Sequence, residues 1–209
     1  MKRDVKENTR EAERQAYLEN RSKLIVDLTA YQPYNEQEAR DQKLMLDAIR
    51  QYDNIFLREN LLAHMSASAW IVNQTHDKVL LAYHNLYQAW SWLGGHADGD
   101  ADLLAVALRE AAEESGIKSA RAVSNEIFSL EVLTVNGHEK RGVYVPSHLH
   151  LNVTYLLEAD EHDPLFVKAD ENSGVKWFPL EEAPAASSEE WMRERIYEKL
   201  NQKLKALQV

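Results

Sequence analysis

The chain has 209 residues, with 24 Lys and Arg against 34 Asp and Glu, a formal net charge of -10 and no cysteine. The absence of cysteine excludes disulfides, thiolate metal sites and cysteine nucleophiles. A hydrophobic fraction of 44% suffices for one domain with a real core, and seven glycines and five prolines exclude a fibrous or low-complexity chain. The acidity is uneven. Residues 1–60 carry 11 basic and 12 acidic groups, which leaves 13 basic and 22 acidic groups after residue 60. Such a body repels a phosphate backbone, so nucleic acid is not expected as a partner. A small phosphorylated ligand is compatible with it, because a divalent cation bridges phosphate to carboxylates. The charged N-terminus is unlike a secretory signal, and no apolar run reaches the length of a membrane span. A cytoplasmic protein with no membrane partner is the expectation.

In chain order, residues 4–30 read as a helix, with Val5, Thr9, Ala12, Ala16, Leu24, Ile25 and Leu28 loosely on one face. Pro33 ends it, and Asn35 is suited to cap a second helix over 36–52, with Leu44, Leu46, Ile49 and Tyr52 as apolar positions. These helices either pack on the rest of the chain, or form a homodimer interface or wall a substrate pocket. From residue 66 the periodicity changes. Ser66–Val72 and Lys78–His84 read as strands joined by a turn, and a helix follows over 102–115. Glu126–Val135, His138–Val145 and His148–Glu158 are strand-like, and Asn136-Gly137 predicts a hairpin between the first two. A short strand at Lys176–Phe178 and a last helix over Ser188–Ala206 complete a mixed α+β pattern.

The chemistry concentrates in Gly94–Ile117. Gly94 to Asp102 reads as a loop whose glycines permit close approach of a ligand. The helix after it carries Glu110, Glu113 and Glu114 at i, i+3 and i+4, hence on one face, and Gly116 suits its C-terminal stop. Each such like-charge pair costs an isolated helix roughly 0.2–0.5 kcal/mol. The acids also stand in the C-terminal half, where the helix dipole disfavours anions. Either the face is simply solvated, or a hard divalent cation offsets it; the glycine loop just before it favours the cation.

The run GGHADGDADLLAVALREAAEESGI resembles the Nudix box, G-x5-E-x7-R-E-U-x-E-E-x-G-U, with U a bulky apolar residue. Gly95, Arg109, Glu110, Glu113, Glu114, Gly116 and Ile117 match in register. Ala101 occupies the first Glu position, with Asp100 and Asp102 beside it, and Ala111 is small for U. The lead-in HNLYQAWSWLGGH is similar to that of bacterial Nudix proteins. The resemblance implies an α/β/α sandwich with a mixed sheet over residues 61–209, and an N-terminal helical extension over 1–60. It implies Mg²⁺ or Mn²⁺ held by Glu110, Glu113 and Glu114, with Arg109 orienting a metal-binding glutamate. It also implies water attack on a phosphorus of a small diphosphate substrate, with Glu113 or Glu114 among the catalytic groups. Glu171, before the late strand containing Trp177, is the candidate additional ligand or general base, with Asp170 its local competitor. Gly95 and His96 are candidates to touch a phosphate, and His96 is equally suited to a loop-stabilising hydrogen bond.

His148, His150 and Asn152 share one strand face, which either looks into the cleft, where the histidines hold phosphate or a metal, or outward. Tyr83, Tyr87, Trp90 and Trp92 either stack on a substrate or pack the core. A non-catalytic Nudix module that senses a nucleotide or mediates assembly is the alternative function, motivated by Ala101 and the N-terminal extension.

Overall fold

The computed structural model describes residues 2–140 and 142–207, with side chains from residue 9 onward. The long first helix α1 (Lys2–Ala30) is followed by α2 (Glu36–Gln51), whose N-cap Asn35 accepts the Glu38 N–H at 2.9 Å. The strands are β1 (Ala63–Asn73), β2 (Lys78–His84), β3 (Ala89–Ser91) and β4 (Leu93–His96). Helix α3 (Leu103–Ser115) follows, then β5 (Arg121–Ala122), β6 (Ser129–Val135), β7 (His138–Lys140), β8 (Val143–Val145), β9 (His148–Ala159) and β10 (Asn172–Pro179). A short helix α4 (Ala183–Ala186) leads to a π-helical turn over Met192–Tyr197 that runs into α5 (Glu198–Leu207). Among the described residues no helix is long and apolar enough to cross a membrane.

One sheet has the order β10-β2-β1-β9-β5, with β3 on β2, β4 on β1 and β6 on β9. β1 and β9 run parallel through eleven residue pairs, from Ala63 with Leu149 to Asn73 with Ala159, and the other pairings are antiparallel. Alternation along β1 and β9 sends two sets of side chains to opposite faces. Met65, Ala67, Ala69, Leu151 and Val153 meet Leu24, Leu28, Met45, Ile49, Leu103 and Val106 from α1, α2 and α3. Trp70, Val72 and Leu156 meet Ile196, Tyr197, Leu200 and Leu204 on the other face. The result is an α/β/α arrangement.

Both N-terminal helices contribute to the core of the sheet domain. The apolar face of α1 is shorter than its periodicity suggests: Thr9, Ala12 and Ala16 are exposed, and burial begins at Leu24. The Val5 side chain lies outside the described residues. On α2 the buried positions are Glu38, Met45, Ala48 and Ile49, while Leu44 is exposed, because the helix turns its face toward the free edge of β6. That edge is closed by side chains: Asp41 accepts the Val132 N–H at 3.1 Å, and Lys199 donates to the Leu130 carbonyl at 3.3 Å. An otherwise open strand edge is thus removed from pairing with another chain.

Two readings of local sequence are corrected. Asn136-Gly137 does not join two paired strands. β6 pairs with β9, Val135 opposite His148, and residues 136–147 form an excursion in which β7 and β8 pair with each other. The Gly137 N–H is taken by Ser147 Oγ at 2.8 Å, which closes the base of that excursion instead of starting a hairpin. Residues 94–96 are also not loop. They belong to β4, held against β1 with His96 opposite Ser66 and Gly95 opposite Ala67.

Candidate active site

Helix α3 is fixed at both ends. Asp102 caps its start by accepting the Ala105 N–H at 3.1 Å, and Gly116 ends it in the left-handed region at φ 72°. Leu103, Val106, Ala107 and Ala111 are buried against the sheet. This packing turns Glu110 and Glu114 toward β4. Glu114 is 7% exposed and accepts the Gly94 N–H at 3.2 Å. A Cβ on Gly95 would sit 2.6 Å from Glu110 Cδ, so glycine here lets the Glu110 carboxylate lie directly on the strand. The small Ala111 fits a fully buried position of the helix.

Both carboxylates are electrostatically uncomfortable. Burial pushes the Glu114 carboxyl up to about 8, and the charges of Glu110 and Glu171 add to this against the opposing Gly94 hydrogen bond. Burial and then Glu113 raise Glu110 as well. The fourth carboxylate arrives from the turn before β10. Lys168 Nζ lies 3.4 Å from Glu113 Oε2 and 3.1 Å from Glu171 Oε2, joining α3 to that turn. Burial opposes the lysine charge, but Glu171 and Glu113 hold it raised. Buried Asn172 fixes the turn by donating to the Glu114 carbonyl at 2.9 Å and accepting the Lys168 N–H at 3.2 Å. No contact joins Asp170 to this group among the described residues.

The first acidic position of the box behaves differently. Ala101 is 4% exposed and part of the core. Its neighbours are engaged elsewhere: Asp102 caps α3, and Asp100 accepts the Asp102 N–H at 2.9 Å and pairs with Arg109 at 3.3 Å. Arg109 is 3.9 Å from Glu110 Oε1, closer to Asp100 than to the glutamate. Glu171 is therefore the carboxylate outside the helix that the structure brings to the acidic face.

Strand β4 divides the site. Gly95 faces α3, and His96 faces the opposite side of the sheet, among His64, His148 and His150. The HLH face of β9 thus meets the histidines of β1 and β4, with His148 buried and His150 half-buried. Beyond it, Ser66, Ser68, Glu131 and Thr154 all hydrogen-bond Asn152 or one another. Sequence reasoning passed over His64 and Arg58. His64 is opposite His150 in the parallel register. Arg58 forms a two-pronged pair with Asp98, 2.5 Å at each oxygen, beside the β4–α3 turn. Its signal was present only as a lone arginine between two elements.

The aromatic residues mostly pack. Trp90 stands edge-on between Tyr83 and Phe178, at 5.5 and 4.9 Å, and Trp92 lies 5.8 Å from buried Tyr197. Tyr87 is exposed and rests on His84 at 4.6 Å.

A NUDIX domain model matches residues 62–200, two thirds of the chain. The chain belongs to the Nudix family. With that membership comes the reaction class, hydrolysis of a pyrophosphate bond. In structure the Nudix chain is similar to an Ap4A hydrolase of C. elegans solved as a binary complex, at 21% identity over 69% of this chain and 96% of that one, TM-score 0.50. It is also similar to a NUDIX-family hydrolase of Clostridium perfringens, at 22% identity over 69% and 97% of the two chains, TM-score 0.47. The dihydroneopterin triphosphate pyrophosphohydrolase of E. coli is similar at 16% identity over 65% and 92%, TM-score 0.48. No curated protein matches in sequence. The segment before residue 62, with α1 and α2, lies outside the matched domain.

Proposed function

We propose that the protein is a Mg²⁺- or Mn²⁺-dependent pyrophosphohydrolase that cleaves a diphosphate linkage in a nucleoside diphosphate derivative. The observation that carries this is the surplus of carboxylate on one face. Glu110, Glu113, Glu114 and Glu171 gather there with Lys168 as the cation bridging two of them. Oxygen donors of this kind fit a hard divalent ion. The raised Glu114 and Glu110 are what such a face looks like when its counter-charge is a ligand.

Glu110, Glu113 and Glu114 are the residues that would hold the ion, and Glu171 would complete the oxygen set in place of the glutamate that Ala101 lacks. When bound, the ion neutralises phosphate oxygens and lowers the pKa of water. The chain's own groups do the rest. The Gly94 N–H and the bare backbone of Gly95 hold the glutamates against β4. Glu171, 41% exposed at its side chain and tethered through Lys168, takes the proton as water oxygen bonds to phosphorus and the bridging P–O bond breaks. Arg109, 41% exposed at its side chain beside the glutamate face, offers positive charge to substrate phosphates.

The test is a panel of nucleoside diphosphate derivatives, dinucleoside polyphosphates and NADH, assayed with Mg²⁺ and with Mn²⁺. Metal-dependent release of phosphate-containing products is expected for at least one class. Tight binding with no turnover across the panel would instead favour the nucleotide-sensing module that Ala101 suggests.

A further inference from the structure

We propose a second metal centre, separate from the glutamate face: His64, His96 and His150 form a three-imidazole site for a borderline transition-metal ion of the Zn²⁺ or Co²⁺ type. One ring nitrogen from each lies within 4.8 Å of the others, the one such group of potential ligands among the described residues. The three come from three adjacent strands. His64 on central β1 pairs laterally with His150 on β9, and His96 on β4 is opposite Ser66, two positions along β1. All three project from the same face of the sheet, opposite the face that Gly95 turns to Glu110.

Hydrogen bonding decides what these rings offer. His64 Nδ1 donates to the Asn60 carbonyl at 3.2 Å, which leaves Nε2 as a bare lone pair. That Nε2 is buried, on a residue 4% exposed, and has no hydrogen-bond partner among the described residues. An imidazole whose other nitrogen is fixed by a backbone carbonyl is the usual arrangement of a metal-ligating histidine. His148 repeats it, with Nδ1 donating to the Pro146 carbonyl at 2.8 Å and a bare Nε2 at 3.2 Å from His150 Nε2. His150 Nε2 is also 3.2 Å from His96 Nε2. His150 Nε2 meets His96 and His148, and among the described residues no ring N–H reaches His64 Nε2, so a surplus buried lone pair faces the centre. A cation resolves that surplus.

The spacing agrees. Two nitrogens on a tetrahedral Zn²⁺ with bonds of about 2.0–2.1 Å are about 3.3 Å apart. Imidazole donors select Zn²⁺, Co²⁺, Ni²⁺ or Cu²⁺ over Mg²⁺, the reverse of the carboxylate face. Three protein ligands leave one position for an outside oxygen, bordered by His148. Arg58, the nearby cation, is already neutralised by Asp98.

The experiment uses the untagged full chain carrying Glu110→Gln, Glu113→Gln and Glu114→Gln, so that the hard site is removed. Titration with Co²⁺ is expected to give one equivalent with the intense visible absorption of four-coordinate Co²⁺. Zn²⁺ should displace it, and excess Mg²⁺ should not. His64→Gln and His150→Gln, each added separately, should weaken Co²⁺ binding by more than the roughly 10–100-fold that loss of a ligand's hydrogen-bond partner costs. Circular dichroism checks that each stays folded, and His96→Gln replaces any variant that does not. Absence of the visible band in the parent variant would overturn the site, as would a band that survives all the histidine substitutions. Neither result bears on hydrolysis at the glutamates, which is read separately in the wild-type chain.

Discussion

Two buried glutamates in this molecule titrate in opposite directions. Glu38 on α2 is fully buried, yet its carboxyl is held at about 2. Burial alone would raise it, but Lys199, the Tyr31 hydroxyl, the Tyr34 N–H and Lys203 reverse the sign. Glu114 on α3 is nearly as buried and is pushed up to about 8, because burial, Glu110 and Glu171 outweigh the Gly94 N–H and the more distant Lys168. The first belongs to a closed network. Glu38 and Glu131 balance Lys199 and Lys203, with the Ser129 hydroxyl between the two acids, 2.8 and 2.5 Å away, to donate its one proton to either. The second is left in deficit. A protein satisfies its structural charges internally, so an acid left in deficit and packed beside a bare glycine strand is where a ligand is expected.

The sharpest way to break this comparison is to remove one acid from each region. Glu113→Gln or Glu114→Gln should lower metal-dependent turnover by at least about 10²–10³-fold, the scale on which loss of a single transition-state-stabilising group is felt. Thermal unfolding of the metal-free chain should change little or improve. Glu38→Ala should do the reverse, costing about 3–5 kcal/mol of stability because Lys203 loses its carboxylate and Lys199 one of its two. Steady-state kinetics and melting curves on the three variants check both halves. Near-normal turnover in both α3 variants would remove the site from α3.

The pH dependence of stability sharpens it further. The folded Glu114 carboxyl is raised from 4.5 to about 8, so its proton is held more tightly folded than unfolded. Its stabilising effect is full below about pH 4.5 and is lost as pH rises toward 8. Glu38, depressed to about 2, stabilises above pH 4.5 and is lost as pH falls toward 2. The melting temperature of the metal-free chain should therefore decline between about pH 6.5 and 8, above the range in which His96 and His150, held neutral by burial, gain stability as pH rises. Glu114→Gln should flatten that decline, and saturating Mn²⁺ should do likewise by taking the proton's place. An unchanged slope in Glu114→Gln would show that another group carries it.

Much of the glutamate face was legible in sequence because a helix converts spacing into geometry. The i, i+3, i+4 pattern, the Asp102 boundary and the Gly116 stop transfer directly from letters to a face. The histidine cluster was only half legible. Period two puts His148 and His150 together, but no local rule says that β1 runs parallel to β9 in the register that sets His64 beside His150. Arg58 and Lys168 were invisible for a related reason: each works through a loop whose path is set by long-range contacts. The Asn136-Gly137 reading failed because turn propensity is local, while the partner of β6 was chosen by its match to β9. The closed network of Glu38 and Glu131 joins residues from α2, β6 and α5, and nothing in the spacing of those residues announces it.

The smallest expected effect decides between two roles for Asp102. It flanks Ala101, where the family pattern has a glutamate, so a ligand role would compensate for the missing carboxylate. Its geometry argues for a cap, since Oδ1 accepts the Ala105 N–H at 3.1 Å and the side chain points along the helix start. The two roles separate by charge. Asparagine caps a helix about as well as aspartate, whereas alanine loses about 1 kcal/mol. Asp102→Ala should then lower the melting temperature by about 2–4 °C, the shift that 1 kcal/mol produces in a chain of this size. Asp102→Asn should leave both the melting temperature and the Mn²⁺ concentration for half-maximal activity unchanged. A raised metal requirement in Asp102→Asn, with stability intact, would make Asp102 a ligand and return Glu171 to proton transfer alone.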